Sequence, residues 1–143
     1  MLASSISQLI ESCGLCQAGE VKAIQTMKAG MTNRSYTFFV KEKQYIIRIP
    51  GEGTEHLINR TQEYAVYSAI APLRISEDVY YFDPKTGIKI AAYLTDAHVC
   101  DSSNWEEVER CLSALKKLHA QKLHVSHSFD LWERLAFYES CLL

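Results

Sequence analysis

The chain lacks the features that would place it in several large classes. No run of about 18 apolar residues occurs in its 143 residues, so no membrane span is expected. Basic residues are not in excess. Fifteen Lys and Arg face 17 Asp and Glu, the net charge is −2 and the pI about 6.2, so no basic stripe points to nucleic acid as a partner. The start, MLASSISQLIESCG, has no basic region ahead of an apolar block, and a secretory leader is not expected. Repeats and low-complexity segments are missing. The five cysteines are odd in number and scattered, which suits reduced thiols and a cytoplasmic location. Cys13 and Cys16 spell C-x-x-C, but the second pair that a zinc ribbon needs is missing, and a helical pattern stands where a redox site needs a strand. Two small thiols at a helix end are the expectation.

What is present is an ordinary globular balance, 48% hydrophobic and 22% charged, sufficient for one domain or slightly more. Leu2, Ile6, Leu9, Ile10 and Cys13 follow helical spacing over 2–13, with Ser5 and Gln8 as a capping box and Gly14 as the stop. A weak strand is expected at 21–28, then a turn AGMTN. SYTFFV and QYIIRI form a hairpin about the charged KEK. Pro50 to Gly53 breaks the chain, and Thr54 is placed to cap a helix over 54–71. Short strands at 77–82 and 88–94 flank the turn DPKTG. Ser103 and Glu106 suggest a capping box for a helix to about Lys122, and Asp130 caps a last helix. No strand–helix–strand alternation is sustained, so the class is α+β with an antiparallel sheet.

One stretch, YIIRIPGEG at 45–53, places a permanent cation in an apolar strand. Side chains alternate, so Ile46 and Arg48 share one face and Tyr45, Ile47 and Ile49 the other. Taken alone, Arg48 reads as an edge-strand arginine reaching for water. Glu63 changes that reading. It lies on the next helix amid Tyr64, Ala65 and Ile70, where an unpaired carboxylate would be costly.

A small sheet, a turn over one face, a cation on the third strand and a glutamate on the next helix resemble the nucleotide-binding lobe of the protein-kinase architecture. Neither V-A-I-K nor G-x-G-x-x-G occurs here, so eukaryotic protein kinases are a distant comparison. AGMTNRSYTF, YIIRIPGEGTEHLINRTQEY, DVYYFDPKTGIKIAAYL and ALKKLHAQKL with FDLWERLAFYE are together similar to the choline/ethanolamine kinase family, its bacterial branch in particular, from about Gly19 onward.

That resemblance implies a kinase-like N-terminal lobe, a five-stranded antiparallel sheet with one packed helix, over 1–94. The hinge and the first helices of a truncated C-terminal lobe follow over 95–143. It implies an ATP-dependent phosphotransferase acting on choline or a similar small alcohol, with Mg2+ needed by the complete enzyme. Gly30, Met31, Thr32, Asn33 and Arg34 match the phosphate-covering turn. Arg48 matches the phosphate-contacting arginine, with Glu63 as its partner and Ile46 over the adenine. Ala92, Tyr93 and Leu94 match the hinge. No H-x-D loop with a later asparagine and no D-x-E segment is found, so no catalytic or metal residue is assigned, and a choline-like substrate is expected to need the missing lobe. His119, His124 and His127 read as a packing residue and loop residues rather than a metal site. Tyr64, Tyr67, Tyr80 and Tyr81 read as core or lobe-interface residues. The alternatives are a non-catalytic kinase-like binding module, dimeric through exposed C-terminal helices, or another small-molecule kinase such as an aminoglycoside phosphotransferase.

Overall fold

The computed structural model describes residues 2–27 and 32–141, with the side chains of residues 2 and 3 left aside. Five strands form a single sheet: β1 (Val21–Thr26), β2 (Asn33–Val40), β3 (Lys43–Pro50), β4 (Val79–Phe82) and β5 (Lys89–Ala92). Their order is β1-β2-β3-β5-β4, and every neighbouring pair is antiparallel. The hairpin of β2 and β3 turns through Lys41 and Glu42, with Lys41 in the left-handed region at φ 56°. Its register runs unbroken from Asn33↔Pro50 to Val40↔Lys43.

The core lies on one face. Tyr36, Phe38 and Val40 of β2, Tyr45 and Ile47 of β3, and Ile90 of β5 meet Ile6 and Ile10 of helix α1 (Leu2–Ser12). Helix α1 starts earlier than the expected Ser5 cap, leaving Ser5 inside it. Cys13 and Cys16 pack against this core as free thiols. Burial pushes both thiols above their ordinary values, opposite to the activation a redox thiolate needs.

The expected helix over 54–71 is split. Thr54–His56 form a single 3₁₀ turn, and helix α2 (Arg60–Ile70) begins only after Asn59, whose side chain accepts from the Gln62 N–H. Gly53 at φ 82° reorients the chain just before Thr54, and the Thr54 hydroxyl donates to the Gly51 carbonyl instead of capping a helix. Helix α2 lies over the second face of the sheet, where Tyr64 and Tyr67 place their rings 5.5 and 5.7 Å from Phe82.

Helices α3 (Trp105–Ala120) and α4 (Leu131–Ser140) complete the chain. Asn104, not Ser103, caps α3, accepting from Glu106 and Glu107 N–H, and Asp130 caps α4 as expected. No residue of either helix is buried, and His119 is exposed rather than packed. No described helix is long and apolar enough to cross a membrane.

Candidate functional site

Strand β3 is central, not an edge, so Arg48 does not escape sideways to water. Its register partners are Ser35 on β2 and Lys89 on β5, while Ile46 sits between Thr37 and Ala91. Alternation therefore gathers Asn33, Ser35, Ile46, Arg48, Lys89 and Ala91 on the face away from α1. Helix α2 brings Glu63 to that face. Arg48 Nη2 lies 2.6 Å from Glu63 Oε1, and each side chain is only 19% exposed. The guanidinium also stands 5.9 Å from the Phe82 ring.

The contact with Glu63 does not satisfy Arg48. Its Nε and Nη2 are buried without a well-directed hydrogen bond, so Nη2 meets the carboxylate by charge and not along an N–H direction. Asn33 Oδ1 on the same face is likewise buried and unpaired, while Asn33 Nδ2 donates to Thr32 Oγ1 at 3.3 Å. Buried donors on a cation ordinarily find a partner, and Arg48 Nε and Nη2 have none that is well directed.

Behind Arg48 lies a group that motif reading missed. Arg60, 7% exposed, donates from Nη1 to Glu63 Oε2 at 2.9 Å and from Nη2 to Thr54 Oγ1 at 3.0 Å. Thr54 Oγ1 donates in turn to the Gly51 carbonyl at 2.7 Å, and the Gly51 N–H donates to the Thr32 carbonyl at 2.8 Å. A Cβ on Gly51 would stand 3.0 Å from that Thr32 oxygen, so the break after β3 is pressed against Thr32 just before β2. The spacing Arg60 to Glu63, one helical turn, was a signal in the sequence.

A second cation was also missed. Lys89 is buried next to Arg48, ion-paired with Glu77 and donating to the Tyr67 hydroxyl at 2.7 Å. Burial alone would raise the Glu77 carboxyl, but the Lys89 ammonium, a backbone N–H and the Tyr67 hydroxyl together outweigh it and hold the group below its usual value. The pattern IKIA repeats the cation-in-strand signal of IIRI, so the residue was legible. Its carboxylate partner was not.

The other sequence-derived residues divide. Gly30 and Met31 lie outside the described residues. Thr32, Asn33 and Arg34 follow them, but the face alternation turns Arg34 away from Arg48. At the end of β5 the Ala92 N–H donates to Asp78 O and the Tyr93 N–H to Gln44 O, so both are engaged within the sheet. The Leu94 N–H has no backbone acceptor among the described residues. Among the described residues no three His, Cys, Asp or Glu side chains gather closely enough to hold a metal.

No family model matches the chain. Over 119 residues it is 26% identical to the protein LicA of Haemophilus influenzae, covering 79% of this chain and 34% of that relative. The solved choline kinase LicA from Streptococcus pneumoniae superposes with a TM-score of 0.80 at 29% identity, over 97% of this chain and 48% of its own. A structure of LicA in complex with AMP gives 0.77 at 31% identity, over 96% and 47%. A choline/ethanolamine kinase family protein from Mesorhizobium loti shares the fold at 0.72 and 23% identity, over 99% and 46%. The chain thus spans about half the length of these solved relatives. It is similar in sequence and fold to these bacterial choline kinases, with the five-stranded antiparallel sheet of a kinase-like N-terminal lobe followed by helices.

Proposed function

We infer that this chain is the nucleotide-binding part of a choline kinase-like phosphotransferase, a protein that passes the terminal phosphate of ATP to choline or a similar small alcohol. One observation carries the reading: Arg48, on the central strand, is braced by Glu63 yet keeps buried guanidinium donors without a well-directed hydrogen bond. A guanidinium keeps its charge at any working pH and suits the planar spread of phosphate oxygens. The relative bound to AMP supports nucleotide as the ligand class.

In this reading 1–94 form the nucleotide lobe and 95–143 the hinge and first helices of the second lobe. The turn 30–34, with Asn33 on the same sheet face as Arg48, is assigned to cover the phosphates. Ile46, half-buried on the Arg48 face, is the apolar contact for the adenine. The hinge role narrows to Leu94, since the Ala92 and Tyr93 N–H groups already serve the sheet, while carbonyls there remain able to accept. Among the described residues no three acidic, imidazole or thiol side chains gather, and the contribution assigned to this chain is to bind and orient the nucleotide. The base and the metal ligands are assigned to the part of the longer relatives that this chain does not span. The choline site, which specifies the substrate, is assigned there too.

Calorimetric titration tests this. ATP should bind the chain, weakly, and Arg48→Ala should reduce the affinity roughly tenfold or more, the scale of a lost charge-assisted hydrogen bond of about 1.5–3 kcal/mol. Residues 1–143 alone should form no phosphocholine. Equal ATP affinity in the variant, or phosphocholine above a protein-free control, would overturn the assignment.

A further inference from the structure

We propose that Arg60 is a positioning residue for the phosphate site, holding the far oxygen of Glu63 and leaving the Arg48–Glu63–Arg60 group with one uncompensated positive charge. The proposal rests on the nucleotide reading above and adds a residue that would not itself touch the ligand.

Glu63 is shared. Its Oε1 faces Arg48 at 2.6 Å and its Oε2 accepts from Arg60 Nη1 at 2.9 Å. Two guanidiniums thus divide one carboxylate. The neighbouring cation on the same face, Lys89, is balanced separately by Glu77. A lone Arg48–Glu63 pair would be neutral and would attract an anion poorly. With Arg60 the group keeps a net positive charge behind a partly desolvated face, where charge acts more strongly than in water.

Arg60 is also unusually fixed. Both of its terminal nitrogens are hydrogen-bonded, one to Glu63 and one to Thr54 Oγ1. Its stem lies against Gly87 in the turn between β4 and β5, where a Cβ would fall 2.5 Å from Arg60 Cδ and 2.7 Å from Nε. Gly87 has φ +72°, so its lack of a side chain serves both the turn and the passage of Arg60. Through Thr54 and Gly51 the same bonds reach the Thr32 carbonyl at the base of the covering turn. Arg60 therefore sits where strand break, turn and helix α2 are joined, and it fixes the carboxylate that braces Arg48.

A purely structural arginine would loosen the whole site when removed. A positioning cation should instead matter in proportion to the charge of the ligand, which separates the two roles. ATP and adenosine are titrated against the wild-type chain, Arg60→Met and Arg60→Lys, with thermal melts in parallel. Arg60→Met should weaken ATP about tenfold, a change of about 1.4 kcal/mol. Adenosine should change by less than about twofold, the difference expected between a ligand that feels the charge and one that does not. Arg60→Lys, which keeps charge but loses the fork, should recover part of the ATP loss. Equal weakening of ATP and adenosine, or no weakening of either, overturns the proposal.

Should Arg60→Met not fold, Gly87→Ala crowds the same side chain while leaving it charged, and it should weaken ATP more than adenosine. Equal weakening by that variant, or none, again counts against the proposal. The Arg48 side-chain Nε–H resonance is recorded without ligand in the wild type and in Arg60→Lys. It should move when the fork that holds Glu63 is lost, and an unmoved signal would rule out positioning. A wild-type chain that binds neither ligand would sink the nucleotide reading alone, and the resonance would then decide the role of Arg60.

Discussion

At the scale of single residues, the sheet face opposite the core carries two cations handled differently, Lys89 buried and Arg48 half-buried. Lys89 is balanced by Glu77 and by the Tyr67 hydroxyl, so its charge is internal. Arg48 is braced but left with unpaired donors. The Lys89 pair carries a pH signature. Glu77 titrates lower in the fold than in the unfolded chain, so its stabilising contribution is complete above the ordinary carboxylate value near ~4.3 and is lost as pH falls below it. Melting temperature should therefore drop on acidification through that range, and Glu77→Gln should flatten the drop while lowering stability at pH 7. An unchanged acid limb in that variant would argue that the pair contributes nothing.

At the scale of elements, caps decide where the helices begin. Asn59 and Asn104 accept from N–H groups in the first turns of α2 and α3. Asn59→Ala should cost about 1 kcal/mol, read from the midpoint shift in urea, and more would mean that the α2 start also holds Glu63 in place. The core element is the β2–β3 hairpin under α1. Ile47 is fully buried at its centre, and Ile47→Ala should cost about 2–5 kcal/mol through lost burial and the cavity left behind.

At the scale of the whole molecule, the two ends differ. Residues of α1 and the sheet bury a core, whereas α3 and α4 bury nothing. Trp105 is 70% exposed, and Phe129 and Trp132 are each 77% exposed. Large apolar side chains this exposed, on and beside two helices with no buried residue, offer surface that another molecule could cover. The chain should therefore self-associate at high concentration, visible as a rising mass in sedimentation equilibrium, and Trp132→Glu should reduce it. A constant monomer mass up to high concentration would show that these helices stay solvated.

The sequence by itself determined the strand and helix types, since hydrophobic period and turn chemistry are local properties. Alternation in YIIRI assigned Arg48 its face, and Asp130 announced its helix. The Arg48 and Glu63 pairing was legible only through the resemblance to known kinases, because nothing local states that a helix will fold back over a strand. The start of α2 was misread at Thr54. That residue has good capping chemistry, but Gly53 adopts a left-handed turn and Thr54 is drawn to Gly51 and Arg60 instead. The sharing of Glu63 between two arginines, the Lys89–Glu77 pair and the loss of two hinge N–H groups to the sheet were decided only by tertiary structure. Charge pairing and hydrogen-bond competition act across space, and residues distant in the chain become partners only once the sheet has closed.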